Sequence, residues 1–498
     1  MLEAQWILSA DQMAEIDRRA SEQIGIDGEL LMEAAGHAIW REIAALTTTG
    51  GSLVCVAGPG NNGGDALVVA RLAHNAGVAD LAVIVFGGSG ARALARRAVI
   101  ERLGITMVDW QADQAGATAL LAGAATVVDG LFGNGLTRAL TESARALVQA
   151  INASTARVIA IDLPSGLREA AAPDDAVVQA AATVVCGYHR RAALQLAAAG
   201  PVGRLLQIDP GFPPQLIREA VQRQAVSAQL ADPVADAESL SPVAAVAHKG
   251  ARGRVLVVGG SDDAPGAALL AAAGAQAQGA GYVTLATGER ARQAAFVRQP
   301  GWMWHERVAA AVPDAQAVVL GPGWTDVRPQ ELAAFVQAAA GADVALVVDA
   351  SALRCLAQLQ SDWPIFARPP VLTPHPAELA ALLAVGTDTV MRDSLGCVQA
   401  AAEQYHATVC LKGSLTYVAS PNRGLRVYIG RCPQVAVAGS GDVLAGCIAA
   451  LAARGVDPAT AARTAVARHL VAGRSLAAIR GWFPAEAIAD EVARRYGT

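Results

Sequence analysis

Aromatic residues make up only 4% of this 498-residue chain and charged residues only 17%, yet 53% of it is hydrophobic. Its apolar mass is therefore mostly Ala, Val and Leu, and that much core material excludes extended disorder. A single core rarely grows past ~250–300 residues, so two or three domains are expected. No long basic run appears and the net charge is -5, which argues against a nucleic-acid partner. Mean hydropathy is positive, but no window offers about 18 uninterrupted apolar residues, so no membrane span is expected. The richest window, Val435 to Ala453, contains Asp442 and several glycines. The opening stretch MLEAQWILSADQ has no basic region followed by an apolar run, so no secretory signal is expected. The seven cysteines form no CxxC pair. Cys55, Cys186 and Cys410 sit inside apolar runs and read as buried thiols. Such usage suits a reducing cytoplasm. A short-period repeat is absent as well.

What is present is an alternation of short β-rich runs with helical stretches. Ser9-Ala10-Asp11-Gln12 forms a capping box that opens a helix to about Glu22. Strands are predicted at Leu53–Ala57, Leu81–Phe86, Ala125–Asp129, Arg157–Ile161 and Thr183–Cys186, with helices such as Gly64–Asn75 between them. The rhythm breaks from about Phe212 to Gly250, where Pro213, Pro214, Pro233 and Pro242 stand among Ala, Gln, Asp and Ser. It then restarts, with strands predicted at Arg254–Val258, Tyr282–Ala286, Ala317–Leu320, Val344–Asp349, Val371–Thr373 and Thr408–Lys412. The fold class is α/β, with mostly parallel sheets covered on both faces.

In the first half, polar glycine turns follow strand ends. Gly58-Pro59-Gly60-Asn61-Asn62-Gly63-Gly64-Asp65 joins a strand to a helix. Such a turn offers unpaired amides and a positive helix end to an anion. A lone G-x-G-x-x-G match is weak, but three polar residues exceed what a structural turn needs. Asp129 leads into Gly130-Leu131-Phe132-Gly133-Asn134-Gly135-Leu136-Thr137-Arg138, and Asp162 into Leu163-Pro164-Ser165-Gly166. In a parallel sheet these strand ends share one edge, where ligands bind. Their Asn, Asp and Ser oxygens suit a hard cation such as K⁺, Na⁺ or Mg²⁺.

The three motifs, in this order and spacing, resemble the N-terminal epimerase domain of the bifunctional NAD(P)H-hydrate repair enzymes over residues 8–212. That likeness implies a Rossmann-like three-layer domain, assigned to residues 1–222, that interconverts (R)- and (S)-NAD(P)HX. It implies K⁺ held by Asn62, Asp129 and Ser165. It implies a substrate lined by Asn61, Asn62, Gly63, Gly64 and Asp65, by Gly133, Asn134, Gly135, Leu136, Thr137, Arg138 and Ala139, and by Asp162. Asp162 is the candidate for proton transfer, not separable from Asp65 by sequence alone. Arg190 stands where the family has a lysine, and a guanidinium cannot act as a proton donor near neutral pH.

In the second half, Gly439-Ser440-Gly441-Asp442 runs straight into an apolar helix. Its amides can hold a phosphoryl group in transit, and Asp442 can accept a proton from a hydroxyl. Gly321-Pro322-Gly323, Thr373-Pro374-His375-Pro376-Ala377-Glu378 and Lys412-Gly413-Ser414-Leu415-Thr416 also follow strands. Together with Lys249-Gly250, Gly259-Gly260-Ser261, Gly279-Ala280-Gly281 and Asp349-Ala350-Ser351-Ala352-Leu353, this set resembles the NAD(P)H-hydrate dehydratase branch of the ribokinase-like superfamily over residues 245–495. The likeness implies a ribokinase-like domain, assigned to residues 223–498. It implies nucleotide-dependent dehydration of (S)-NAD(P)HX with ADP, or ATP, and Mg²⁺. Asp442 would be the base, with Ala267, Gly323, His375 and Asp442 at NADPHX. Lys412, Gly413, Ser414, Leu415, Thr416 and Gly441 would hold the nucleotide. Ser351, Ala377 and Ala438 depart from the family pattern. Two other readings compete: a vitamin or sugar kinase with an added binding domain, and a non-catalytic nucleotide-binding scaffold. NADHX, NADPHX and ADP are the expected small-molecule partners, and a homo-oligomer is expected.

Overall fold

The computed structural model describes residues 5–47, 50–169, 176–223, 227–241, 243–244, 247–359 and 363–497. Two compact units divide the chain, Met1–Ser227 and Ala228–Thr498. The sequence reading placed the division at 222/223. Pro242, one of the prolines marking the break in rhythm, lies outside the described residues.

The strands of the first unit are β1 (Trp6–Leu8), β2 (Leu53–Ala57), β3 (Leu81–Val85), β4 (Thr106–Asp109), β5 (Thr126–Gly130), β6 (Arg157–Ile161), β7 (Ala182–Cys186), β8 (His189–Arg190) and β9 (Arg204–Ile208). Its helices are α1 (Ala10–Glu22), α2 (Gly28–Leu46), α3 (Asn61–Asn75), α4 (Ala91–Arg102), α5 (Gln114–Gly123), α6 (Glu142–Ala153) and α7 (Pro214–Gln222). The main sheet runs β4-β3-β2-β5-β6-β7-β9, parallel throughout. Side chains alternate along each strand. Leu53 and Cys55 pack with Ile39, Ile43, Val69 and Ile100, while Val54 and Val56 pack with Leu121, Leu147 and Ile151. Both faces are thus covered, which is why these strands read as unbroken apolar runs. Six strands carry the order of a dinucleotide-binding fold, and the chain reverses direction between β2 and β5. A crevice opens at such a switch point. Here Gly58 follows β2 and Leu131 follows β5. A Cβ on Gly58 would lie 1.7 Å from the Leu131 carbonyl oxygen, so only glycine lets the two turns approach this closely.

The second unit holds β10 (Ala228–Leu230), β11 (Arg254–Val258), β12 (Tyr282–Ala286), β13 (Met303–His305), β14 (Ala317–Leu320), β15 (Ala345–Val348), β16 (Val371–Leu372), β17 (Thr408–Leu411), β18 (Leu415–Ser420) and β19 (Arg423–Ile429). Between them lie α8 (Pro233–Ala237), α9 (Pro265–Ala277), α10 (Glu289–Arg298), α11 (Pro329–Gly341), α12 (Ser351–Leu356), α13 (Pro376–Leu383), α14 (Thr387–Arg392), α15 (Ser394–Gln404), α16 (Ser440–Ala453), α17 (Pro458–Arg480) and α18 (Ala485–Tyr496). The order is β13-β12-β11-β14-β15-β16-β17-β18-β19-β10. Strands β11 to β17 are parallel, and β17-β18-β19 pair antiparallel. The β18–β19 hairpin is a feature the sequence reading lacked. Helix α16 is buried along Val443–Ala453 and packs on α9 through glycines. A Cβ on Gly446 would lie 1.8 Å from the Ala271 carbonyl oxygen, and one on Gly274 would lie 2.1 Å from that of Val443. No helix among the described residues is long and apolar enough to cross a membrane.

Candidate functional sites

The glycine segment after β2 is not a loop leading to a helix at Gly64. The helix begins at Asn61, with Gly60 at its N-cap, because Gly63 and Gly64 tuck beneath it against Gly58 and Met32. The segment's polar side chains are thereby set on one helical turn. A cavity of about 780 Å³ opens beside that turn. Asn61, Asn62, Asp65, Gly133, Asn134, Gly135, Leu136, Thr137, Arg138 and Asp162 all line it. Gly63 and Gly64 lie beneath it, and Ala139 is exposed outside it.

Asp162 sits just past β6 with φ of 63°, a left-handed conformation that costs a non-glycine residue about 1–3 kcal/mol. Its Oδ2 accepts from the Asn134 amide at 3.1 Å, and Arg190 Nη2 lies 2.7 Å from its Oδ1. Arg190 is itself buried and donates to the Cys186 carbonyl at 2.9 Å and to that of Tyr188. Asp65 faces the same cavity, and burial, then the Asp162 charge, hold its carboxyl well above the usual range. Asp129 and Ser165, both fully buried, lie below. Ser165 donates to Asp129 through its hydroxyl at 2.6 Å and its amide at 2.8 Å. Burial pushes the Asp129 carboxyl up to about 6, against these bonds. Asn62 is buried beside the cavity, and its Nδ2 has no hydrogen-bond partner among the described residues.

In the second unit, the switch point lies between β11 and β14. Gly260 donates to the Pro322 carbonyl at 2.8 Å and Ser261 to that of Gly323 at 2.7 Å, so the two glycine turns are laced together. Ala267 stands against Gly323, where an added Cβ would lie 3.1 Å from its own. Along the same sheet edge, Lys412 Nζ pairs with Asp349 Oδ1 at 2.6 Å, which also accepts from the Thr373 hydroxyl at 2.8 Å. Burial works against the Lys412 ammonium, but Asp349 and Glu378 outweigh it and raise its pKa. Asp442 lies in the first turn of α16, at whose start Gly439 takes φ of 93°. Neither Ser440 nor Asp442 caps the helix; Gly439 occupies the N-cap, leaving both side chains free for other work. Burial, then the Asp349 charge, push the Asp442 carboxyl up to about 7, with Lys412 opposing. His375 caps α13, its Nδ1 accepting from the amides of Ala377 at 3.1 Å and Glu378 at 3.3 Å. That bonding leaves Nε2 to carry the proton, and Nε2 stands 3.3 Å from Glu378 Oε1.

A cavity of about 570 Å³ runs beside these groups. Its lining includes the polar Lys412, Gly413, Ser414, Thr416, Ser440 and Gly441 and the apolar Pro433, Val435, Leu444, Val466 and Leu470. Leu415 opens β18, a strand buried throughout, and is itself in the core at 1% exposure.

Two family models match the chain. One, described as YjeF-related protein N-terminus, covers residues 28–192; the other, described as NAD(P)H-hydrate dehydratase, covers residues 255–494. The bifunctional NAD(P)H-hydrate repair enzyme Nnr of Gloeobacter violaceus is 36% identical, covering 91% of this chain and 90% of that protein. The chain belongs to the bifunctional NAD(P)H-hydrate repair enzyme family. The enzyme of that name from Thermofilum pendens is 31% identical, covering 94% of this chain and 91% of its own. Among solved structures, the ADP/ATP-dependent NAD(P)H-hydrate dehydratase from Bacillus subtilis, co-crystallised with ATP/Mg²⁺, is 26% identical. It covers 53% of this chain and 96% of that one, with a TM-score of 0.48.

Both cavities of this repair-enzyme chain include residues that no sequence motif marked. Asp17 on α1, Glu29 on α2 and Arg92 and Arg96 on α4 line the first. Each is a charge on an amphipathic helix, where a solvated face is the ordinary explanation. Arg431, Cys432 and His469 line the second. His469 donates from Nε2 to the Ser440 carbonyl at 3.0 Å, and burial pushes its imidazole down to about 4, so it stays neutral. It sits on α17, 29 residues beyond Ser440, a separation that sequence cannot bridge.

Proposed function

We propose that the first unit epimerises (R)- and (S)-NAD(P)HX and the second dehydrates (S)-NAD(P)HX to NAD(P)H at the expense of ADP, or ATP, with Mg²⁺. The domains are residues 1–222 and 223–498. The observation that carries the dehydratase reading is Asp442. It stands at the start of α16 beside the Lys412–Asp349 pair, with a carboxyl that titrates near neutral pH. A group poised there can take the hydrate's hydroxyl proton as the terminal phosphoryl group arrives. The phosphorylated oxygen then leaves with its electron pair as phosphate, the neighbouring ring carbon gives a proton to water, and the carbon–carbon double bond of the dihydronicotinamide is restored. Lys412, Gly413, Ser414, Thr416 and the Gly441 amide face the phosphates. The apolar residues of the same lining take the base, and a lining of both kinds suits a nucleotide. Leu415 supports this wall from the core. Ala267, Gly323 and His375 contact NADPHX. Mg²⁺ comes with the phosphates, as is usual for this ion.

In the first unit, Asn61 to Asp65, Gly133 to Ala139 and Asp162 form the substrate site. Asn62, Asp129 and Ser165 hold K⁺. The donor set fits in kind: the Asn62 side-chain carbonyl, the Asp129 carboxylate and the Ser165 hydroxyl are all hard oxygens, and Asp129 and Ser165 are fully buried. Potassium there supplies the positive charge that a buried Asp129 lacks. The pairing of activities is coherent, since a dehydratase selective for one epimer needs the other converted. A cytoplasmic homo-oligomer completes the reading.

The test mixes the full chain with each NADHX epimer, ADP, Mg²⁺ and K⁺ and follows the return of NADH absorbance. Return from both epimers is expected. Return from neither sinks the reading, and return from (S) alone means an inactive first unit.

A further inference from the structure

The epimerase cavity holds two carboxyl groups in opposite circumstances. Asp162 has two partners: the Arg190 guanidinium stands 2.7 Å from Oδ1, outside hydrogen-bond geometry, and the Asn134 backbone amide donates to Oδ2 at 3.1 Å. Arg190 is anchored in turn on two backbone carbonyls and is only 4% exposed. An ion pair of this kind needs Asp162 as the carboxylate. Asp65 lines the same cavity and makes no hydrogen bond or ion pair with any described residue. The charged and titratable groups around it are Asp162, Asp17, Cys186 and Arg96, of which only Arg96 favours its ionised form. A carboxyl without a partner can donate a proton, and one facing a guanidinium can accept one.

We infer that epimerisation uses both: Asp65 donates a proton to the departing hydroxyl, and Asp162 accepts one from the water that replaces it on the other face. The inference rests on the epimerase reading above. Water added across an enamine double bond places the hydroxyl on the carbon bonded to the ring nitrogen. When Asp65 protonates that oxygen, the carbon–oxygen bond breaks and its electron pair leaves with the oxygen as water. The nitrogen lone pair closes a carbon–nitrogen double bond, making a cation that sits among the carboxylates of Asp17 and Asp162. Water then adds from the opposite face and gives its extra proton to Asp162. One proton has moved from Asp65 to Asp162. The reverse conversion returns it, as does exchange with solvent. Arg190 is the positioning residue, since it fixes Asp162 without reaching the reacting carbon.

The test uses full-length Asp65→Asn and follows (R)-NADPHX through to NADPH, with (S)-NADPHX as the internal control. Turnover of the (R) epimer should fall about 100-fold, the low end of what a positioned proton donor contributes. Turnover of the (S) epimer should stay at the wild-type rate. In the wild type the epimerisation rate should fall as pH rises and Asp65 loses its proton, and Asp65→Glu should keep that alkaline limb. Wild-type enzyme run in heavy-oxygen water should place one heavy oxygen in the recovered epimer. An (R) rate within about threefold of wild type in Asp65→Asn overturns the inference, and so does inversion with the original oxygen retained. Should Asp65→Asn fail to fold, the Asp65→Glu profile and the wild-type isotope result decide alone. If wild-type enzyme does not convert (R) at all, the epimerase reading fails instead.

Discussion

Asp442 gives the sharpest prediction, because two neighbours of opposite charge act on it. Its carboxyl titrates at about 7 in the presence of both Asp349 and Lys412. A base must be ionised to work, so dehydration should fall as pH drops through 7 and be about tenfold below its plateau at about pH 6. A nearby charge moves a carboxyl's titration by about 1 to 3 pH units. Asp442 is only partly shielded from water, so about 1 is the working figure. Asp349→Asn removes a negative neighbour, makes the charged form of Asp442 easier to reach, and should move the limb down to about pH 6. Lys412→Gln removes the positive neighbour and should move it up to about pH 8. The assay is NADH return from (S)-NADHX at saturating ADP and Mg²⁺, each profile normalised to its own plateau. That normalisation separates the shift of the limb from the loss of rate both variants will show. Asp442→Asn should lose about 100-fold or more in rate. A limb that both charge variants move the same way, or that survives in Asp442→Asn, refutes the assignment of Asp442 as the base.

Potassium should raise the thermal unfolding temperature at pH 8, and the effect should fade through pH 6 as Asp129 protonates; Asp129→Asn should abolish it. A potassium response unchanged by that variant would place the ion elsewhere. Gly446→Val should destabilise the second unit by more than about 2 kcal/mol in urea unfolding, because its Cβ would lie 1.8 Å from the Ala271 carbonyl oxygen and force α9 and α16 apart. His375→Ala should cost about 1 kcal/mol, the usual value of a helix cap, and weaken (S)-NADPHX binding. A binding constant unchanged in His375→Ala would leave His375 a cap only.

Much of this was legible in the primary structure. The capping box at Ser9 and Gln12 forms as read, since it depends on residues three apart. Buried parallel strands announce themselves because both faces need apolar side chains, as at Leu53–Ala57. Strands with exposed or mixed faces did not: Met303–His305 is exposed at all three positions, and Arg204–Ile208 is mostly half-buried. The glycine motifs marked both sites, because glycine is required where backbones nearly touch, as Gly58 and Leu131 do. Their local conformation was misjudged. Asn61 and Ser440 begin helices; at Asn61, burial of Gly63 and Gly64 overrides glycine's low helix propensity.

The sequence by itself determined the alternation of strand and helix, the two halves, and the acids, amides and lysine at strand ends. These depend on neighbours along the chain and on residue chemistry alone. Tertiary structure decided which of those groups act on one another. Lys412 meets Asp349 because β17 and β15 end at one sheet edge with β16 between them, and Arg190 meets Asp162 because it follows the end of β7, the neighbour of β6; residues 63 and 28 positions apart thus come within 2.7 Å. It also left Asp65 without a partner among the described residues while Arg190 faces Asp162, since burial and neighbouring charge belong to the folded cavity and not to the chain.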